Sequence, residues 1–373
     1  MLNQVAEAIE LHDYKTAVRL LKPLLKSEPK NLWVQYYAGR VYEGTGKPEA
    51  ARKLYRKLLP LATNPKLMSQ LRQGIERLQV LEQEQRRRAI ADAVVAPGGD
   101  RQGVLVLEPL APDLKQPAAL QFARIMQLDP YTARLQLPSR GWRLYRTGPF
   151  GELRYYCTTL TQAGIPSFCN ALEEIGKIEI LTANYFQFLA PEVTVRCQNP
   201  QGQIGSLSFA WSEVSQGVEG RVPLFESVVV VDAKHRLQRK TQTQDYAHFF
   251  DLHLPGRNCI LRVCDRHYQF QQGVSISPSG TTGEGDRWGT VSKSWNQLTY
   301  LIRQSIAPAR LWSDFSPFAE TALGFGEMLE RIDARINLKR RDRSSWDAAF
   351  QLYSGLAFWR SRDRAQQNST PVR

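Results

Sequence analysis

The strongest constraint in this chain is a repetition near its start, where one apolar pattern recurs after 34 residues. Ala17 falls on Ala51, Leu20 on Leu54, Leu21 on Tyr55 and Leu24 on Leu58. Between His12 and Asn31 the positions Ala17, Leu20, Leu21, Leu24 and Leu25 follow the i, i+3, i+4, i+7 spacing of a helix with one buried face. A helix pair of this length cannot cover its own apolar face, so such units stack on their neighbours. Stacking leaves a groove, which points to recognition of a partner rather than to catalysis.

The residues around the repeat add detail. Ala17, Leu21 and Pro29 mark a second helix and its closing proline, and the second copy, from Leu32 to about Pro65, carries Gly39, Tyr42, Ala51 and Tyr55. In this pattern the region resembles the tetratricopeptide repeat family. Three positions depart from it: Gln35 stands at the early tryptophan position, Val5 where glycine or alanine is usual, and Thr63 in place of the closing proline. The resemblance implies helix-turn-helix units whose first helices face a protein partner. On that geometry Trp33, Tyr36, Arg40 and Glu43 line the groove; the competing reading packs Trp33 and Tyr36 against the first copy or a capping helix. Lys66 to Arg88 reads as that cap, with Leu67, Leu71, Ile75, Leu78 and Leu81 on one side.

With 42% hydrophobic and 23% charged residues, the 373-residue chain has the composition of an ordinary globular protein with room for two or three domains. Its net charge of +13 favours acidic partners without choosing among nucleic acid, anionic membrane and protein. Five cysteines leave one unpaired under any intramolecular disulfide scheme, which reads as reduced thiols. Glu7 and Glu10 interrupt what a secretory signal would keep apolar, and the valine run ending at Val231 is far shorter than the roughly 20 residues of a membrane span. The expected location is cytoplasmic, with no transmembrane segment.

The helical pattern stops at Ala96–Gly103, APGGDRQG, which reads as a linker. Val104 to Leu107 is a strand candidate and Ala118 to Leu128 a helix candidate. Gly141 to Phe168 reads strand, helix, strand, with Leu153, Cys157 and Leu160 on the helix stripe and Gly164 at its C-terminal cap. This short unit is similar to half of the small repeated domains that bind denuded peptidoglycan, and is read here as a generic βαβ-type unit. Cys157 is expected to be a small core residue.

From Ile178 the period changes to two, and six strand candidates follow: 178–188, 192–197, 204–214, 222–232, 246–254 and 259–264. Short turns between them favour an antiparallel meander. With a helix from Trp288 to Gln304 after them, the strands resemble a pleckstrin-homology-like barrel. Cys259 and Cys264, like His248 and His253, are five apart and point to opposite faces of a strand, so neither pair makes a metal site. His267 near Cys264 is the one remaining Cys/His combination, and no cofactor is implied. No GxSxG elbow marks a serine nucleophile, and the glycine-rich stretch from Ser279 to Lys293 lacks a lysine directly after its last glycine, as a phosphate loop would have. The chain is therefore expected not to be an enzyme.

Ser316-Pro317 reads as a helix start, and Phe325, Leu329, Ile332 and Ile336 continue one apolar face into LKRRDR. There Lys339, Arg340, Arg341 and Arg343 crowd beside Trp346, a cluster suited to nucleic acid or anionic lipid, or else a solvated helix end. Residues after Arg362 read as a disordered tail. Together the expectation is an α+β chain: tetratricopeptide-like helices with their cap over 1–95, a linker over 96–103, an α/β and antiparallel β domain over 104–310, C-terminal helices over 311–361 and a tail over 362–373. The remainder beyond the repeats resembles bacterial, specifically cyanobacterial, proteins that carry tetratricopeptide repeats and have no assigned activity. The function expected is a protein-binding adaptor or assembly factor; the alternative is a binder of nucleic acid or another anionic ligand through the basic C-terminal part.

Overall fold

The structure is a computed structural model that describes residues 1–190, 192–231, 237–274, 290–338, 340 and 344–369. It divides into two compact units, Met1–Asp92 and Ala93–Arg373.

The first unit consists of helices α1 (Leu2–Glu10), α2 (Tyr14–Ser27), α3 (Leu32–Gly44), α4 (Pro48–Leu58) and α5 (Pro65–Val95), whose last turn spans the division. Starts are set locally. Asp13 accepts from the Thr16 amide, Asn31 from the Trp33 amide and Asn64 from the Lys66 amide, while Pro48 opens α4. The repeated positions are equivalent in three dimensions: Ala17 and Ala51, Leu21 and Tyr55, and Leu24 and Leu58 are all buried. Helix α3 serves two cores. Val34, Ala38 and Val41 pack with α1 and α2, and Tyr36 packs with Tyr55, Leu58, Leu67 and Leu71 of α4 and α5. The expected cap is thus a longer helix than read, and its stripe ends at Leu78, since Leu81 is exposed.

The Tyr55 ring fills the space between α3 and α5, and glycine is required on both sides of it. A Cβ on Gly39 would lie 2.2 Å from Tyr55 Cε1, and one on Gly74 would lie 2.6 Å from Cε2. Because the ring is fully buried and cannot swing away, Gly39→Ala is expected to destabilise this unit by about 1–3 kcal/mol in denaturant unfolding of the full chain. An unchanged midpoint would show that the ring is not wedged.

The second unit begins with β1 (Gln102–Leu107), α6 (Lys115–Met126), α7 (Pro130–Gln136), β2 (Arg143–Pro149), α8 (Phe150–Gln162), β3 (Ser167–Ala171) and α9 (Leu172–Gly176). The sheet order is β2-β1-β3 with both pairings antiparallel, so β2 and β3 run parallel on either side of β1 and α8 connects them. The βαβ-type unit is therefore present in split form. Gly164 follows α8 at φ +76°, the left-handed conformation that its expected role requires. Helix α6 starts three residues before the expected Ala118, and α7 was not anticipated.

The larger sheet contains β4 (Glu179–Phe188), β5 (Val193–Gln198), β6 (Ile204–Phe209), β7 (Gln216–Val231), β8 (Leu237–Leu254), β9 (Cys259–Cys264) and, after α10 (Val291–Ser305), β10 (Arg310–Trp312). Its order is β10-β7-β8-β9-β4-β5-β6. Two antiparallel meanders, β4-β5-β6 and β7-β8-β9, meet through a parallel β4–β9 pair. This corrects the single antiparallel meander. It also leaves the hydrogen-bonded order open between β6 and β10, where the resemblance implied a closed barrel.

Helices α11 (Phe315–Ala322), α12 (Gly326–Leu329) and α13 (Ser345–Ser369) complete the unit. Three expectations are corrected here. Asp314, not Ser316, occupies the N-cap of α11. The helical face ends at Leu329, so Ile332 and Ile336 lie in an irregular segment, and most of LKRRDR lies outside the described residues. The expected tail is helical as far as Ser369. One face of the large sheet packs on α11 and α13 through Val218, Val222, Phe249, Phe315, Phe350 and Tyr353, and the other on α10 through Trp295, Leu298 and Ile302. Every residue of α13 from Asp347 to Phe358 is buried, as in a helix surrounded on all sides. Cys259 and Cys264 belong to opposite cores, as their spacing requires.

Buried charge fastens α13 to the sheet. Arg262 of β9 pairs with Asp251 of β8 through two hydrogen bonds of 2.9 and 2.7 Å and donates to the Ala334 carbonyl. Ser354 of α13 donates to Asp251 at 2.6 Å, and His253 Nε2 meets the Ser354 hydroxyl at 3.0 Å. Gln216 of β7 bonds His253 Nδ1, the Ala357 carbonyl and the Trp312 indole N–H of β10. With the Gln216 amide donating to Nδ1 and the serine hydroxyl committed to Asp251, the imidazole is neutral with its proton on Nε2.

Burial pushes the His253 imidazole down to about 4. The unfolded chain takes up this proton below about pH 6.5, whereas the folded chain resists it until about 4. The contribution to stability is therefore complete above about 6.5 and falls by about 3 kcal/mol as the pH drops to about 4. Urea midpoints measured at about pH 7.5 and 4.5 are expected to drop less in His253→Gln than in the wild type; equal drops would contradict this assignment.

Candidate partner face of the helical repeats

Of the first helices of the stack, α1, α3 and α5, it is α3 that carries all four residues singled out by the sequence. Tyr36 is buried rather than open: its hydroxyl donates to Gln70 Oε1 at 2.7 Å and accepts from Arg40 Nη1 at 3.3 Å. The Arg40 and Glu43 side chains pair at 3.5 Å, and Arg77 of α5 reaches Glu43 at 3.3 Å. Trp33 is half-buried, with its ring edge-on to Tyr36 at a centroid distance of 5.9 Å. The structure thus brings Trp33, Tyr36, Arg40 and Glu43 together, but uses Tyr36 to hold α5.

Gln70 and Arg77 were missed by the sequence reading, although a signal existed. They lie 34 residues after Tyr36 and Glu43, so the repeat period continues into the helix taken for a plain cap. Arg40 remains 30% exposed and Arg77 44% exposed, which leaves two guanidinium groups open to a partner while hydrogen bonds fix their positions. Beside them Tyr37 spans both cores. Burial pushes its phenol up, with the Tyr36 ring and the Glu10 carboxylate acting in the same direction and Arg40 against them. The result is a semi-aromatic, charged strip of preset hydrogen-bond donors and apolar edges.

The basic cluster fares differently. Lys339, Arg341 and Arg343 lie outside the described residues. Arg340, expected to face an anion, instead binds the Asp347 carboxylate at the start of α13 and donates to the Pro223 carbonyl, so this guanidinium is committed to the fold. Residues 279–289 of the glycine-rich stretch also lie outside the described residues, and Thr290 caps α10.

The second unit has a cavity of about 270 Å³ between β7, β8, α10 and α11, lined among others by Glu219, His248, Trp295, Asn296 and Arg303. Glu219 and Arg303 bind each other at 2.5 and 2.7 Å, and His248 Nδ1 meets Asp265 at 2.9 Å. Glu219 and Arg303 are thus paired within the lining, and His248 is held by a carboxylate next to it. Among the described residues no three His, Cys, Asp or Glu side chains are grouped to hold a metal ion. Among them no helix is long and apolar enough to cross a membrane.

The tetratricopeptide repeat family model matches residues 8–75. Neither a curated protein nor a solved structure matches the chain.

Proposed function

Proceeding from an N-terminal part that carries a tetratricopeptide repeat, we propose that this protein is a non-enzymatic adaptor that binds a protein partner along the α1, α3 and α5 face. The observation that supports this most is the pair of half-exposed guanidinium groups of Arg40 and Arg77, both set in place by Glu43 beside the Trp33 and Tyr37 rings. Arginine among aromatics is the composition of energetically dominant interface residues. A face whose donors are already fixed loses less side-chain entropy on binding. The two cations select a partner segment with acidic side chains, and the aromatic edges favour apolar residues next to them.

Neutralisation at both positions removes the attraction while costing the fold little, since partly exposed ion pairs contribute at most about 1 kcal/mol each. The full chain carrying Arg40→Gln and Arg77→Gln is expected to recover its protein partners at least about tenfold less well than the wild type in affinity purification from the native host, while remaining folded by circular dichroism. Equal recovery by the two forms would remove this face as the binding site.

A further inference from the structure

Two cysteines of the small sheet stand apart from the other three. Cys197, Cys259 and Cys264 are buried in the cores, where burial raises their thiols, to about 11 for Cys259 and about 12 for Cys264. Such thiols are inert. Cys157 and Cys169 are only half-buried. Cys157 lies on α8 and Cys169 on β3, an edge strand of its sheet against which α8 packs. Ser167 and Cys169 are two apart on β3 and so share one face of it. The Ser167 hydroxyl lies 3.9 Å from Cys157 Sγ, which places that face, and with it Cys169, under α8 on the side of Cys157.

We propose that Cys157 and Cys169 form a reversible intrachain disulfide, with Cys157 as the attacking thiol and Cys169 as the resolving one. The donors around Cys157 favour its thiolate. The Cys169 thiol contributes most, then the Ser167 and Thr161 hydroxyls, with the Arg360 guanidinium adding charge, and together they outweigh burial and bring Cys157 down to about 7. Arg360 is itself fixed by two hydrogen bonds to Glu108, of 3.3 and 2.6 Å, and by stacking on Phe168. A thiol of this acidity, half-exposed and with a second thiol in contact, has the environment of a redox-responsive cysteine.

The oxidant is a low-molecular-weight disulfide. The Cys157 thiolate attacks one of its sulfurs, forming a mixed disulfide and releasing one thiolate. Cys169 then gives up its proton and attacks Cys157 Sγ, expelling the second small thiolate. The protein dithiol loses two electrons and two protons, and the small disulfide is reduced to two thiols. Closing the bond sets the sulfurs about 2.0 Å apart and ties α8 to β3. Cys157 is on the helical stripe and Cys169 on the returning strand, so helical spacing alone gives no sign of the pair.

The test treats the reduced full chain with excess oxidised glutathione, labels the remaining thiols after denaturation, and maps the peptides by mass spectrometry. The expected product retains three free thiols and carries one Cys157–Cys169 bond, which dithiothreitol reverses. In Cys169→Ser the reaction is expected to stop at a glutathione adduct on Cys157. Retention of all five thiols, a lasting glutathione adduct on wild-type Cys157, or a bond involving any other cysteine would overturn the proposal. The wild-type map decides the matter even where the variant does not fold.

Discussion

The helical unit depends on the packing of Tyr55 between two backbones. A repeated helix pair buries its face only if its neighbour comes close, and here the approach is set by one fully buried ring with Gly39 on one side and Gly74 on the other. Any side chain at either position would push α3 and α5 apart. Their present separation lets Tyr36 reach Gln70 and Arg77 reach Glu43, and those two links arrange the charged strip on which the proposed binding depends. Packing in the core and geometry at the partner face are thus consequences of the same contact.

The second unit is organised around a buried charge. Arg262 and Asp251 are almost wholly removed from water, a costly arrangement unless every lone pair and proton finds a partner. The Ser354 hydroxyl, the neutral His253 and Gln216 continue the network into α13 and the β10 edge. Such a network favours one placement of a helix whose apolar surface alone would allow several. Within it the serine donates to the aspartate, and the serine, histidine and aspartate are sealed from solvent.

The parts legible in the sequence were those whose information is local or periodic. The 34-residue offset, Gly164 after its helix and the opposite faces of Cys259 and Cys264 all follow from spacing alone. The burial of Tyr36 against the capping helix was one of two readings the sequence left open, and its bond to Gln70 requires knowing that α5 continues the period. The parallel β4–β9 pair was illegible because it joins strands some eighty residues apart, and turn chemistry speaks only of consecutive strands. Helix α13 was under-read for a related reason: a helix buried all round has no polar face, so its apolar residues show no periodic contrast. In the basic run LKRRDR charge density says nothing of pairing, and Arg340 is held by the Asp347 carboxylate.

Binding along the α1, α3 and α5 face is tested most directly by photo-crosslinking in the native host. A photoreactive phenylalanine derivative replaces Arg40 or Arg77 in the full chain, with Arg19 and Lys53, exposed on the second helices, as reference positions. The account predicts covalent adducts with another protein from positions 40 and 77 and none from 19 and 53. Adducts only from the reference positions, or none from the first helices, would contradict it.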